Sequence, residues 1–94
     1  MTDTIEASHI LVSGDDAKEK IEGLATEIAD GADFGDVARE HSECPSSRGG
    51  GALGSFGRGV MVPEFEEAAF ALDVGETSGA VETDFGYHLI HRTA

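Results

Sequence analysis

Ile, Leu and Val crowd the stretch from Thr4 to Val12, TIEASHILV, and Ser13-Gly14 closes it, so the pattern predicts a first β-strand ending in a turn. His9 lies inside that strand. From Asp15 the period changes: Ala17, Ile21, Leu24, Ala25 and Ile28 recur at helical spacing, Asp15 or Asp16 stands where an N-cap belongs, and Gly31 stands at the C-terminal cap. The opposite face carries Lys18, Glu19, Glu22, Glu27 and Asp30, a solvated face. A second, shorter helix is predicted from Asp33, with Asp36 in the reciprocal capping position and Phe34, Val37, Ala38 and His41 as its apolar stripe. It should end near Ser42, because Pro45 disfavours helical geometry at Cys44.

Beyond a glycine-rich loop over 46–51, Ala52 to Phe56 reads as a short strand, weakened by Gly54 and Gly57. Pro63 suits the first position of a third helix, Glu64, Glu66 and Glu67 favour its positive end, and Phe65, Ala69 and Leu72 share a face. The remaining residues split at Thr83-Asp84-Phe85-Gly86 into two strands, the last with His88 and Ile90 on one face and Tyr87, Leu89 and His91 on the other. The order strand-helix-helix-strand-helix-strand-strand predicts an α+β fold, a small, mostly antiparallel sheet with helices packed on it. If the first and last strands pair, His9 and His88 can lie side by side. With 94 residues, one domain over 1–94 is expected, a monomer by default.

Composition narrows the function. A single cysteine rules out an intrachain disulfide and a Cys-rich zinc site, and a free thiol fits a reducing interior. The N-terminus lacks the basic start and apolar run of a signal peptide, and 18 apolar residues never run together, so a cytoplasmic location is expected. Nineteen acidic against six basic residues give a net charge of −13, which argues against nucleic acid and against an anionic membrane surface as partners. The acids are spread along the whole chain, as on proteins of salt-loving microbes, so a halophilic origin is expected.

Candidate chemistry gathers between His41 and Phe65, HSECPSSRGGGALGSFGRGVMVPEF. The GxGxxG match at Gly49, Gly51 and Gly54 leads into a strand rather than a helix and lacks a P-loop lysine, so it reads as a loop that needs glycine geometry. Cys44 with His9 and His88 leaves three readings open: a cysteine hydrolase, a zinc site, or ordinary buried side chains. Pro45 removes a backbone N–H that would serve an oxyanion hole, and the three residues lack the close pairing of zinc motifs. His41 and His91 are assigned to a helix end and to strand packing. Leu53, Met61 and Phe65 follow no simple period; core is the plain reading, and a shallow exposed apolar pocket is the sharper one.

Five blocks, SHILV, DFGDVAREHSECPSS, GGGALGSFGRGVMVPEFEEAAFAL, GETSGAV and TDFGYHLIHR, occur in an order and spacing that resemble the parvulin-type peptidyl-prolyl cis/trans isomerases over residues 7–92. The resemblance implies a four-stranded antiparallel sheet surrounded by helices, and rotation about X-Pro bonds as the activity. It implies His9 and His88 as a central histidine pair with Thr83 in their hydrogen-bond network, and Cys44 at the family's active-site Cys/Asp position. It also implies that Leu53, Met61 and Phe65 line the pocket for the substrate proline ring, with Phe85 at its rim. No cofactor and no metal are implied, and the partners are proline-containing polypeptides. Phosphoserine-directed members carry a basic cluster after the first strand; here that loop is Ser13-Gly14-Asp15-Asp16, which would repel a phosphate, so a broad, phosphate-independent substrate range is expected. Because the family also accepts aspartate at the position of Cys44, this thiol is expected to act as a polar neighbour of the amide rather than as a nucleophile. A non-catalytic proline-binding chaperone or adaptor module, and a Cys/His hydrolase, are the alternatives.

Overall fold

A computed structural model describes residues 4–43 and 49–94. Four strands, β1 (Thr4–Val12), β2 (Ala52–Gly57), β3 (Val81–Thr83) and β4 (Gly86–Arg92), form one sheet in the order β2-β1-β4-β3. All three pairings are antiparallel, and β1 and β4, the first and last strands in the chain, lie together at the centre. Helices α1 (Ala17–Ala29) and α2 (Phe34–His41) follow β1, and α3 (Pro63–Ala71) follows β2. The α+β order read from the sequence is the order observed.

Side chains alternate across a strand, and the two faces of this sheet build two separate cores. Ile10, Val12 and Leu89 point to one face and pack with Ile21 and Leu24 of α1 and Phe34, Val37 and Ala38 of α2. Ile5, Ala7 and Ile90 point to the other and pack with Phe56 of β2 and Phe65 and Ala69 of α3. His9 and His88 share this second face, because His9 is two residues from Ala7 and His88 two from Ile90.

The helix ends separate good capping signals from poor ones. Asp33 holds extended geometry (φ −72°, ψ 127°), and its side chain accepts the Asp36 N–H at 3.0 Å. The reciprocal bond is not made, because the Asp36 carboxylate turns to Arg39 at 2.8 Å instead. Asp16 occupies the N-cap of α1, yet at φ −104°, ψ 14° it lacks the extended geometry and makes no side-chain capping bond. At the other end of α1 the expectation holds: Gly31 (φ +113°) lets its own N–H reach Ile28 O and the Ala32 N–H reach Glu27 O, closing the last turn.

One irregularity in the sheet bears on the site. Thr4, Ile5 and Glu6 face Gly57, Phe56 and Ser55 in strict register, but Ser8 faces Ala52, so β2 carries one extra residue over this step. Gly54, at φ +73°, takes up the bulge. In unbroken alternation Leu53 would face away from Phe56; with the extra residue both point to the α3 side.

Past the end of its pairing with β2, β1 finds other partners along the same edge. The His9 N–H donates to Gly51 O at 2.9 Å, the Leu11 N–H to Ser42 Oγ at 3.1 Å, and the Glu43 N–H to Leu11 O at 2.8 Å. The Glu43 carboxylate accepts from both the N–H (2.9 Å) and the hydroxyl (2.6 Å) of Ser13. These two bonds hold the Glu43 carboxyl below the usual range for a carboxylate.

Candidate active site

His9 faces Ile90 across the central strand pair and His88 faces Leu11, so the two histidines are diagonal neighbours on one face. Their Nδ1 atoms lie 3.2 Å apart and their rings stack at 5.4 Å between centroids, with 18° between planes. Phe65 from α3 presents to both rings at close to a right angle, 5.6 Å from His9 and 5.4 Å from His88. On its far side His88 Nε2 lies 2.7 Å from Thr83 Oγ1, and Thr83 Oγ1 accepts the Phe85 N–H at 3.2 Å. Thus β1, β3, β4 and the β3–β4 turn each contribute one member of a continuous hydrogen-bonded row.

Both histidines are almost fully enclosed. Burial, helped by the proximity of His88, lowers the pKa of His9 to about 4, and burial alone lowers that of His88. At neutral pH both rings are therefore uncharged, and their Nδ1–Nδ1 contact needs one donor and one acceptor. His9 Nε2 is buried without a partner among the described residues. Among those residues no group of three or more His, Cys, Asp or Glu side chains is arranged to hold a metal ion.

Above the pair opens a cleft of about 430 Å³. It is lined by His9, Leu11 and His88 from the central strands, Leu53 from β2, Phe65 from α3, Val60, Met61 and Val62 from the loop between β2 and α3, and Phe85 from the β3–β4 turn. Phe85 and Val60 are exposed by 63% and 66%, large apolar side chains left in solvent on the rim of an apolar cleft. Apart from the two histidine rings its lining is apolar, the composition typical of small-ligand clefts.

The structure brings His9, His88, Leu53, Met61, Phe65 and Phe85 together around this cleft, with Thr83 directly behind His88. Cys44 lies outside the described residues; Glu43, which precedes it, is tied to Leu11 and Ser13. Sequence reasoning missed Leu11, Val60 and Val62. Leu11 had a signal, since it lies two residues from His9 on the same strand; the two valines, in a loop, had only their adjacency to Met61. The glycine-rich run serves backbone shape: a Cβ on Gly51 (φ +84°) would collide with His9 O.

An apolar cleft beside a neutral, hydrogen-bonded histidine pair on a four-stranded antiparallel sheet is the arrangement that the fold and the site define. Comparison with known proteins gives that arrangement its family. The Rotamase family, described as the PPIC-type PPIASE domain, matches residues 9–94. The peptidyl-prolyl cis-trans isomerase Pin1 of Digitalis lanata is 52% identical over 80 residues, covering 84% of this chain and 68% of that protein. The foldase protein PrsA of Geobacillus sp. (strain WCH70) is 48% identical over 90 residues, covering 95% of this chain and 32% of the foldase. The solution structure of NmPin, the parvulin of Nitrosopumilus maritimus, superposes with a TM-score of 0.83 at 39% identity, covering 100% of this chain and 99% of that one. The chain belongs to the PPIC-type peptidyl-prolyl cis-trans isomerases, the parvulins, and it spans about two thirds of the plant relative and about a third of the foldase.

Proposed function

We propose that this domain accelerates rotation about X-Pro bonds in flexible or unfolded polypeptides, without preference for a phosphorylated residue before the proline. The observation that carries this reading is the apolar cleft set on the buried His9–His88 pair. The uncatalysed rotation crosses a barrier of about 20 kcal/mol and takes tens of seconds or more. No bond is broken, so the protein has only to bind the twisted amide more tightly than either planar form. Each tenfold acceleration requires about 1.4 kcal/mol of that preference.

In this reading the proline ring seats against Met61, Phe65 and Leu53, with Phe85 closing over its edge. A planar amide owes its stiffness to a charge-separated resonance form that water stabilises. Within apolar walls that form loses its hydration, whereas the twisted amide, with a smaller dipole, loses less. His9 and His88, uncharged and braced by Thr83, keep the lining in shape and offer polar nitrogens without bringing a charge into the cleft. Cys44 acts as a polar neighbour of the amide carbonyl, so Cys44→Asp should retain activity; its loss in a folded protein would favour a covalent role.

Charge supports the absence of phosphate preference. The loop after β1 carries Asp15 and Asp16, and the Glu43 carboxylate is fastened to the same loop through Ser13. A phosphate brought there meets three carboxylates. We further propose that the domain works as a monomeric unit over 1–94 in a reducing, cytoplasmic, salt-rich setting, on the strength of its single cysteine and its net charge of −13. The deciding test is an isomerisation assay on paired short peptides, one Ser-Pro and one phosphoserine-Pro. Turnover of the first at least equal to the second is expected; faster turnover of the phosphopeptide would overturn the substrate assignment, and no turnover of either would leave a proline-binding adaptor.

A further inference from the structure

The wall formed by Val60, Met61 and Val62 belongs to a loop with no strand or helix of its own, and two side chains of α3 contact its start. Glu66, in the first turn of α3, reaches back across the loop. Its Oε1 accepts the Gly59 N–H at 2.5 Å, and its Oε2 lies 3.5 Å from Nη1 of Arg58. One helical turn further on, the ring of Phe70 lies under the same Arg58 guanidinium, 4.3 Å from ring centroid to the guanidinium carbon. Phe70 is itself packed edge-on against Phe56 of the core. Residues 66 and 70 therefore seat Arg58 and Gly59 from one face of α3, and the chain leaves Gly59 (φ +88°) to run over the cleft. Glu66 is the more enclosed partner, its side chain 19% exposed against 61% for Arg58.

We propose that Glu66 is a positioning residue for the isomerase site, fixing the loop that carries the outer wall of the proline cleft. The inference rests on the cleft being the proline site. Removing this carboxylate leaves the Gly59 N–H without its acceptor and frees Val60, Met61 and Val62 to move off the cleft. Planar and twisted forms of the substrate are gripped by the same wall, so the loss falls on binding common to both, raising KM with little change in kcat.

Two conservative variants separate reach from charge. Glu66→Gln keeps an oxygen at the same length and loses the charge; Glu66→Asp keeps the charge and falls short by one methylene. Isomerisation kinetics on a short X-Pro peptide should give Glu66→Asp a KM raised about threefold to tenfold, the weight of one hydrogen bond, and Glu66→Gln a KM within about twofold of the parent. The Gly59 amide proton resonance should move upfield in Glu66→Asp and stay close to its parent position in Glu66→Gln. Met61→Ala, measured alongside, tests the cleft itself. If Met61→Ala leaves KM unchanged, the proline-site reading fails; if Met61→Ala raises KM and Glu66→Asp does not, the positioning role is overturned while the site stands. A Glu66→Gln variant impaired where Glu66→Asp is not would assign Glu66 to the helix dipole instead, and also overturns the proposal. Should Glu66→Asp fail to fold, Glu66→Gln with a KM raised by tenfold or more at unchanged melting temperature would do the same.

Discussion

His9 and His88 stand 79 residues apart in the chain and 3.2 Å apart at their Nδ1 atoms. The pairing of β1 with β4 at the centre of the sheet achieves this, and it means the site cannot form until the first and last strands have met. Such a pairing is among the slower events in folding a small domain.

The pair makes stability depend on pH. Both histidines have folded-state pKa values lowered by burial, His9 to about 4, while an unfolded histidine titrates near 6.5. Below that unfolded value the unfolded chain binds more protons than the folded one, so stability is full above about pH 7 and falls as pH drops from 6.5 toward 4. For His9 the loss is at most roughly 3 kcal/mol. Carboxylate protonation relieves the self-repulsion of the acidic chain and works the other way near pH ~4. Urea midpoints measured from pH 7 to 4 should therefore fall more steeply for the parent than for His9→Asn; parallel slopes would refute the assignment.

Met61 and Phe65 line the same cleft with different duties. Phe65 is 3% exposed and packs on His9, His88 and Phe56, whereas Met61 is half-buried on the wall. Phe65→Ala should cost about 3–5 kcal/mol of stability in addition to activity. Met61→Ala should leave the melting temperature nearly unchanged and raise KM by about threefold to tenfold. Denaturation and peptide kinetics on the two variants check this contrast.

Gly51 accepts the His9 N–H through its carbonyl and sits at φ +84° with no room for a Cβ against His9 O. Gly51→Ala should destabilise the domain by about 3 kcal/mol or more, through both the left-handed backbone and the collision. Gly49, whose Cβ would meet open space, is the control: Gly49→Ala should change stability by less than ~1 kcal/mol. Chemical denaturation of the two variants provides the comparison.

With a net charge of −13, the folded state carries strong self-repulsion in dilute buffer. In molar salt the screening length falls to about 3 Å. The melting temperature should rise between low salt and molar sodium chloride; a flat or falling profile would remove the case for a salt-adapted surface.

The strands and helices were legible because their signals are local. TIEASHILV, the Ile21–Leu24–Ile28 spacing and Pro63 each state their element within a few residues, and the observed bounds follow them closely. What escaped was set by contacts across the fold. Asp16 has a capping residue's chemistry and the wrong backbone angles, a property of the turn before it. Glu66 reads in sequence as one more acid near a helix start, and only the folded loop shows what it grips. The tether from Glu43 to Ser13 joins residues 30 apart, and no period links them. The side-by-side histidines followed from pairing the first and last strands, and a shallow apolar pocket from the missing period of Leu53, Met61 and Phe65. Yet each residue alone has an ordinary structural reading, and only the family resemblance joined them into one site with Thr83 and Phe85.

The bulge at Gly54 makes the place of Leu53 depend on the length of β2. Changing a side chain in this strand alters one contact, but removing or adding one residue between Ala52 and Phe56 would swap the inside and outside of everything on one side of the change. Leu53 would leave the cleft for solvent, and the edge of the sheet would present its neighbour in its place. For this short segment, length matters more than spelling: divergence by substitution can retune the pocket gradually, whereas a single-codon deletion would remove a wall in one step.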